Sequence, residues 1–307
     1  MRNFLYSLGL MLLDIWCRIY GIGYVIEEIS MKWEKIVNQE SIKKLCSNIC
    51  MIISCRTEKA YKDLSKGRAL DMATIVKYLL LEEVGVGTGF LIKEGFVVTT
   101  YHIVKQKGSN LFLAMLSTGE WIKLELVCFN AVYDLAILRP EVVWSEGLIL
   151  EFKLPDVGDL VFTMGYPFAY PMVCESQYIE FPPLISVGFV SCILKRQDGF
   201  EEIITNIAFN NGNSGGPLFN EENKVIGVVR AKLFFRHPII HLYEQIFERP
   251  SIDLVYGKLK LENGYEEELS LGRVLKLLIN MIKLNSQTNI GYAIPSKYIR
   301  SLLFQQI

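Results

Sequence analysis

The chain consists of short apolar runs separated by turn residues, and this rhythm restricts its fold class more than any other feature. A first set of strand-length runs occupies 87–93, 96–100, 110–116, 121–128 and 135–138, after a continuous apolar run at 49–55. A second set occupies 159–165, 185–195, 201–209, 217–219, 224–231 and 290–294. Many short strands at turn-punctuated intervals are typical of all-β barrels. The pattern predicts two packed β-barrels with a cleft at their junction.

Three segments depart from this strand rhythm. Residues 41–47 and the end of the chain at 296–307 each predict one short helix. Residues 56–84 are first charged and then amphipathic, which indicates a partly helical surface insertion in the first barrel. The expected divisions of the chain are an N-terminal extension (1–40), a first barrel (41–155) and a second barrel (156–307).

The composition excludes some functions. The 307 residues are 51% hydrophobic and carry a formal net charge of −1, without a clustered basic stripe. Such a chain can bury a sizeable core and lacks the electrostatic footprint of a nucleic-acid-binding protein. The seven cysteines are odd in number and irregularly spaced, which predicts buried free thiols. This usage favours a cytoplasmic or membrane-peripheral location, and a secreted or periplasmic one stays open.

The first thirty residues are ambiguous. An apolar run at 4–13 follows Arg2, but Asp14 and Arg18 interrupt it and no small-residue cleavage site follows. Two charges near the middle make this stretch a poor membrane span. We expect an extension that is a membrane-peripheral amphipathic helix or a structural segment, and not a transmembrane helix. A natural start at Met31 is the remaining alternative.

Residues 212–216, Gly-Asn-Ser-Gly-Gly, carry the most informative chemical signal. Gly212 and Gly215 permit backbone angles that are closed to residues with a Cβ, so a tight turn can present the Ser214 hydroxyl. The N–H groups of Gly212 and Ser214 can then point at one spot and form an oxyanion hole, which acyl transfer needs. Taken alone, the segment is also compatible with an ordinary Gly/Asn/Ser loop.

A serine nucleophile needs a base, and the base needs a third group that orients it. His102 ends a strand-like run, whereas His237 and His241 lie in a Pro-containing stretch that suits a surface role. Asp134 immediately precedes an apolar run, where a buried carboxylate needs a partner such as a histidine N–H. Singly, these are compatible with a strand-end histidine and a solvent-facing aspartate. Together, in the order His102, Asp134 and Ser214, they indicate a catalytic triad.

These segments resemble the trypsin-like serine endopeptidases of the HtrA (high-temperature-requirement) type. The resemblance rests on a glycine-rich strand at 85–92, a histidine motif at 97–102, an aspartate motif at 134–138 and the serine motif at 212–218. Further framework segments match at 157–165, 225–228 and 291–295. With interruptions, the resemblance extends from residue 42 to the end of the chain.

The resemblance implies an all-β, chymotrypsin-like fold of two six-stranded antiparallel barrels, with a helical N-terminal extension and helical insertions. It also implies a serine endopeptidase of protein quality control or processing that uses His102, Asp134 and Ser214 and needs no metal or organic cofactor. Asn213 would shape the turn that carries the oxyanion-hole amides of Gly212 and Ser214.

A peptide or protein substrate is expected to add as a strand beside residues 227–231. The positions that the resemblance assigns to substrate binding are Ala208, Phe209, Gly227, Val228 and Val229. None of them is acidic, so we expect a small or medium apolar side chain before the scissile bond rather than Lys or Arg.

The chain also departs from the family pattern in three places. Residues 232–288 replace a connection that is much shorter in most relatives, and the apolar spacing of 269–284 predicts a helix within them. We expect an inserted subdomain that serves as a lid, a gate or an oligomer contact. Only residues 296–307 follow the last strand, so no peptide-binding PDZ domain is expected. Tyr101 stands where relatives usually have a small residue or Asn, and its ring could crowd His102.

A second class of function stays open. A protein that kept this fold but lost turnover would act as a peptide-binding or chaperone-like module, and Tyr101 and the long insertion are compatible with that. All three catalytic side chains are present, which favours an enzyme. Homo-oligomerisation and membrane association stay open as well, and no nucleic-acid partner is expected.

Overall fold

The structure is a computed structural model that describes residues 39–65, 75, 78, 83–105, 111–167, 181–234, 255–260, 266–270 and 287–304. Within these ranges the chain forms two closed six-stranded barrels, which confirms the predicted fold class. The expected extension lies outside the described residues, apart from its last two. In the described ranges, no helix combines the length and apolar character that a membrane span requires.

The first barrel is antiparallel throughout and closes in the order β1-β2-β3-β6-β5-β4. All seven residues of β1 are buried, as its continuous apolar sequence predicts. The strands are β1 (Ile49–Cys55), β2 (Val84–Leu91), β3 (Val97–Thr100), β4 (Leu111–Met115), β5 (Trp121–Asn130) and β6 (Leu135–Pro140).

The second barrel is also antiparallel, and a two-stranded sheet lies between its last two strands in the sequence. Its first five strands are β7 (Leu160–Gly165), β8 (Leu184–Lys195), β9 (Glu201–Thr205), β10 (Pro217–Phe219) and β11 (Val225–Phe234). The separate sheet consists of β12 (Val255–Lys260) and β13 (Glu266–Ser270), and β14 (Gln287–Pro295) completes the barrel. The barrel order is β10-β11-β14-β9-β8-β7.

The sheet of β12 and β13 corrects the first two residues of the helix expected at 269–284. Leu269 pairs with Gly257 across this sheet, so the segment begins as a strand. Apolar spacing does not reveal a cross-strand partner, and here the pairing decides the conformation. The rest of that predicted helix lies outside the described residues.

Four helices complete the described chain: α1 (Gln39–Cys46), α2 (Glu58–Ser65), α3 (Tyr101–Val104) and α4 (Lys297–Phe304). The segment expected as a surface insertion at 56–84 also contributes to the core of the first barrel. Ala60, Leu64, Ile75 and Tyr78 are buried in one apolar cluster with residues of β1. The insertion therefore covers the barrel with its apolar residues rather than lying only on its surface.

The two barrels share one core. The largest apolar cluster contains Phe90 and Ile137 of the first barrel together with Phe162 and Phe219 of the second. At the junction, the Val225 N–H donates to the carbonyl of Ile149 at 2.8 Å. This continuity fixes the position of the loops that face each other across the cleft.

Candidate active site

His102 and Asp134 come from two neighbouring connections of the first barrel. His102 lies in α3, directly after β3, and Asp134 ends the turn that leads into β6. One carboxylate oxygen of Asp134, Oδ2, lies 2.8 Å from His102 Nδ1, and the other accepts the His102 backbone N–H at 2.9 Å. The Asp134 carbonyl also accepts the Tyr101 N–H at 3.0 Å. Asp134 thus holds both the imidazole and the backbone that carries it.

This arrangement requires an unusual backbone at Asp134. Its φ is +55°, in the left-handed region that aspartate tolerates better than most residues. The Asp134 side chain is 13% exposed, whereas that of His102 is 46% exposed. The carboxylate is therefore largely shielded, and the imidazole stays open to the cleft.

Ser214 lies on the second barrel, in the tight turn that precedes β10. Gly212 and Gly215 have φ of +95° and +88°, as the sequence predicts for this turn. A Cβ at residue 215 would lie 2.1 Å from the Thr88 carbonyl oxygen, so only glycine fits there. Two independent constraints, backbone angle and space, therefore determine this residue type.

The hydrogen bonds of the turn leave two amides free beside the Ser214 hydroxyl. The Asn213 N–H donates to Asn210, the Gly215 N–H to Val229 and the Gly216 N–H to Asn213. Within the described part of the chain, neither the Gly212 nor the Ser214 N–H donates to another group. These are the two amides that the sequence assigned to an oxyanion hole. Asn213, the third residue assigned to the oxyanion hole, stabilises the turn by donating its own N–H to the Asn210 carbonyl.

Thr88 of the first barrel fixes the serine turn. Its hydroxyl donates to the Gly212 carbonyl at 2.6 Å and accepts the Tyr166 N–H at 2.9 Å. Its backbone N–H donates to the Ser214 carbonyl at 2.9 Å. The nucleophile loop is therefore held by hydrogen bonds from the same barrel that carries His102 and Asp134.

The Ser214 hydroxyl does not point at His102. It donates to the Arg230 carbonyl at 2.8 Å, and among the described residues no hydrogen bond joins Ser214 to His102. The sequence could not predict this, because a hydroxyl direction depends on which acceptor the tertiary structure brings near. Rotation about the Cα–Cβ bond of Ser214 is enough to redirect the hydroxyl.

Arg230 also contacts the candidate triad, although no sequence motif pointed to it. Its Nε lies 3.4 Å from Asp134 Oδ2, and its Nη1 lies 2.6 Å from Glu202 Oε1. The available signal was the presence of a charged residue in the otherwise apolar run at 225–231. That signal alone does not show which group the guanidinium meets.

Three of the assigned substrate-binding residues turn out to be framework. Gly227 and Val228 pair with β10 on one side and with β14 on the other. Val229 exchanges hydrogen bonds with the serine turn and pairs with β14. Since both edges of this stretch are filled, a substrate strand cannot add at 227–229. Beyond Val229, no described strand pairs with β11 on the β10 side.

The other two assigned residues differ in exposure. Phe209 is buried in the core of the second barrel, and its ring fills the space in front of Gly291. Ala208 is half-buried. The prediction of an apolar specificity pocket stays a prediction, and of the residues assigned to it Ala208 keeps some accessible surface.

Tyr101 does not stand alone beside His102. Its ring stacks on Phe129 of β5, with centroids 4.4 Å apart and planes 10° from parallel. The Lys105 ammonium lies 5.8 Å from the centre of the Tyr101 ring. The bulky ring is thus accommodated against the first barrel.

The two buried cysteines at 50 and 55 do not offer an alternative nucleophile. Burial raises the pKa of the Cys50 thiol, and it raises the pKa of Cys55 to about 12. Both thiols therefore stay protonated at neutral pH, and the reactive form of cysteine is the thiolate. His237 and His241, the remaining histidines, lie outside the described residues.

Comparisons with known proteins agree with this site. A model of the trypsin-like peptidase domain matches residues 87–228, which include all three triad positions. A probable periplasmic DegP-like serine endoprotease of Halomonas elongata is 33% identical over 160 residues, which is 50% of this chain and 31% of that protein. The Do-like serine protease HtrA of Lactococcus lactis is 24% identical over 205 residues, 63% of this chain and 48% of that one. The chain thus spans less than half of these relatives.

Solved structures share the fold. The serine endoprotease of Yersinia pestis matches with a TM-score of 0.51 and 15% identity, over 88% of this chain and 66% of that one. The HtrA-type protease AlgW, solved with a tripeptide, matches with a TM-score of 0.52 and 17% identity, over 86% and 61% of the two chains. Fold and sequence similarity agree: residues 87–228 match the trypsin-like peptidase domain, and the chain is similar to HtrA-type serine proteases.

Proposed function

We propose that the protein is a serine endopeptidase that cleaves peptide bonds through an acyl-enzyme on Ser214. The observation that carries this proposal is the pair of hydrogen bonds from His102 to Asp134, next to a serine turn with two free amides. In this mechanism His102 takes the proton of the Ser214 hydroxyl and later delivers it to the leaving amine. Asp134 orients the imidazole and stabilises its protonated form.

The oxyanion of the tetrahedral intermediate would bind the N–H groups of Gly212 and Ser214. Both amides are fixed by the turn before the reaction begins, so stabilising the developing charge costs little reorganisation. Thr88 supports this preorganisation because it holds the Gly212 and Ser214 carbonyls from the first barrel. Formation of the site therefore depends on how the two barrels dock.

The substrate would add to β11 as an extended strand, through backbone hydrogen bonds. We place this pairing at residues 230–234, since the neighbouring stretch already has partners on both sides. A substrate amide that donates to the Arg230 carbonyl would displace the Ser214 hydroxyl from it. The freed hydroxyl could then turn towards His102, so that substrate binding itself would prepare the nucleophile.

The names of the relatives also bear on substrate class and location. They are called serine endoproteases, which supports peptide or protein substrates for this chain and gives no support to a purely peptide-binding role. They are also called periplasmic. This favours an extracytoplasmic location over the cytoplasmic or membrane-peripheral one suggested by the cysteines.

Covalent labelling with a fluorophosphonate tests the proposal directly, because the reagent reports an activated serine and a formed oxyanion hole together. We expect one equivalent of label on Ser214, and none on Ser214→Ala. His102→Ala should abolish labelling while leaving thermal unfolding unchanged. A well-folded wild-type protein that neither labels nor cleaves denatured casein would overturn the assignment and leave the peptide-binding role.

A further inference from the structure

Arg230 occupies an irregular position in its strand. The pairing of β11 with β14 shifts in register between Val229 and Ala231, so Arg230 lies at a β-bulge. A bulge leaves its residue without a ladder partner and redirects the side chain. Here the side chain is redirected across the cleft to the acidic member of the triad.

The guanidinium of Arg230 lies between two carboxylates. Its Nε faces Asp134 Oδ2 at 3.4 Å, and its Nη1 faces Glu202 Oε1 of β9 at 2.6 Å. The Asp134 and Glu202 side chains are each 13% exposed and that of Arg230 is 31% exposed, so all three charges are partly removed from solvent. Ion pairs in such surroundings interact more strongly than pairs on the open surface.

We propose that Arg230 is a positioning residue for peptide cleavage, which fixes Asp134 and, balanced by Glu202, tunes how well Asp134 supports protonated His102. The inference rests on the function proposed above and adds to it a residue outside the triad. The contact of Arg230 Nε with Asp134 and the contact of Arg230 Nη1 with Glu202 have separate consequences.

The contacts of the Asp134 carboxylate show how Arg230 positions it. Oδ1 accepts the His102 N–H, and Oδ2 contacts both His102 Nδ1 and Arg230 Nε. Two of these contacts come from the first barrel and one from the second. Arg230 therefore links the triad across the cleft. A lysine has a point charge without the planar fork, so it cannot reproduce both carboxylate contacts.

Asp134 Oδ2 brings the Arg230 charge close to the His102 imidazole. His102 Nδ1 and Arg230 Nε both contact Asp134 Oδ2, so they lie no more than about 6 Å apart. A fixed positive charge at that distance repels a protonated, positively charged imidazole. Glu202 lies on the other side of the guanidinium and offsets part of this effect.

The charged groups that the described elements bring to this place are few. Asp134 comes from the turn before β6, Arg230 from β11 and Glu202 from β9. Lys105, at the end of α3, lies over the Tyr101 ring. Removing Arg230 and removing Glu202 should therefore have opposite effects on the protonation of His102.

The test compares Arg230→Gln, Arg230→Lys and Glu202→Gln with the wild-type enzyme. Arg196→Gln is the matched control. Arg196 forms an exposed ion pair with Asp198, with an N–O distance of 3.0 Å, and this pair lies away from the triad. We would measure kcat and KM on a small peptide ester across pH. The imidazole titration of His102 by NMR, assigned with His102→Ala, gives a readout that does not require turnover.

We expect Arg230→Gln to lower kcat by about 10- to 100-fold with little change in KM, as for a misplaced catalytic group. The acid limb of its pH–rate profile and its imidazole titration should both move to higher pH, because a positive charge near His102 is removed. Glu202→Gln should move both to lower pH. Arg230→Lys should keep the acid limb of the wild-type pH–rate profile and have a kcat between those of Arg230→Gln and the wild type. Arg196→Gln should match the wild type in both respects.

Equal kcat and equal titrations in Arg230→Gln and Arg196→Gln would overturn the inference. Shifts of the same sign in Arg230→Gln and Glu202→Gln would also overturn it, since general damage to the fold has no reason to change sign. If Arg230→Gln does not fold, the pH profile of Glu202→Gln and the kcat of Arg230→Lys still test the role of Arg230. If the wild type is not labelled by the fluorophosphonate, the proposed function fails, while the NMR titration still tests the coupling of these charges.

Discussion

Replacing Thr88 by valine removes the hydroxyl that ties the serine turn to the first barrel. Valine has nearly the same shape, so the change isolates the hydrogen bonds from packing. The Thr88 side chain is fully buried, and its hydroxyl serves both the Gly212 carbonyl and the Tyr166 N–H. Both partners lose this bond at a buried site. Such a loss costs about 1 to 3 kcal/mol for each group left unsatisfied.

We therefore expect Thr88→Val to lower the free energy of unfolding by about 2 to 6 kcal/mol. The expected loss in kcat exceeds the change in KM, because the turn that carries Ser214 loses one of its anchors. Urea denaturation followed by tryptophan fluorescence measures the first quantity. Steady-state kinetics on a small peptide ester measures the second.

Thr100→Val is the matched control. Thr100 is also fully buried, and its hydroxyl has no hydrogen-bond partner among the described residues. The same substitution at this position removes an unsatisfied polar group, so we expect unchanged or slightly increased stability. If Thr88→Val costs no more than Thr100→Val, the hydrogen bonds across the barrel junction do not hold the serine turn, and our account of the site is wrong.

Three further predictions concern the same structure. Ser214→Ala should stay folded and lose peptidase activity by a factor on the order of 10⁶, so substantial casein cleavage by the purified variant would refute the assignment. Gly215→Ala should disrupt the site because its Cβ would lie 2.1 Å from the Thr88 carbonyl, whereas Gly199→Ala, at a similar φ of +83° with open space, should cost only about 1 to 2 kcal/mol in backbone strain. Alkaline pH should destabilise the protein, because burial raises the pKa of Cys55 from 9.0 to about 12 in the folded state. The resulting stability is complete below pH 9 and is lost as the pH rises towards 12, and urea midpoints that stay constant across this range would contradict it.

The strand content and the candidate triad residues could be read from the sequence because both depend on local patterns. The β1 run at 49–55 is apolar at every position, and the same residues form a strand buried along its whole length. The glycines of the serine turn were predictable because positive φ is a property of single residues. The HtrA-type motifs added the order in which the barrels and the candidate triad residues occur, and the sequence comparisons support that resemblance.

The rest depends on contacts between residues that are far apart in the chain, which local patterns do not contain. The helix expected from 269 begins as a strand because β12 supplies a partner, and Gly227 to Val229 are closed to substrate because β10 and β14 occupy both edges. The sequence by itself indicated which residues are candidates for a triad, since their motifs are short and specific. Only the tertiary structure decided that Arg230 meets Asp134 and that the Ser214 hydroxyl meets the Arg230 carbonyl, because the direction of a side chain is set by the partners that folding brings within reach.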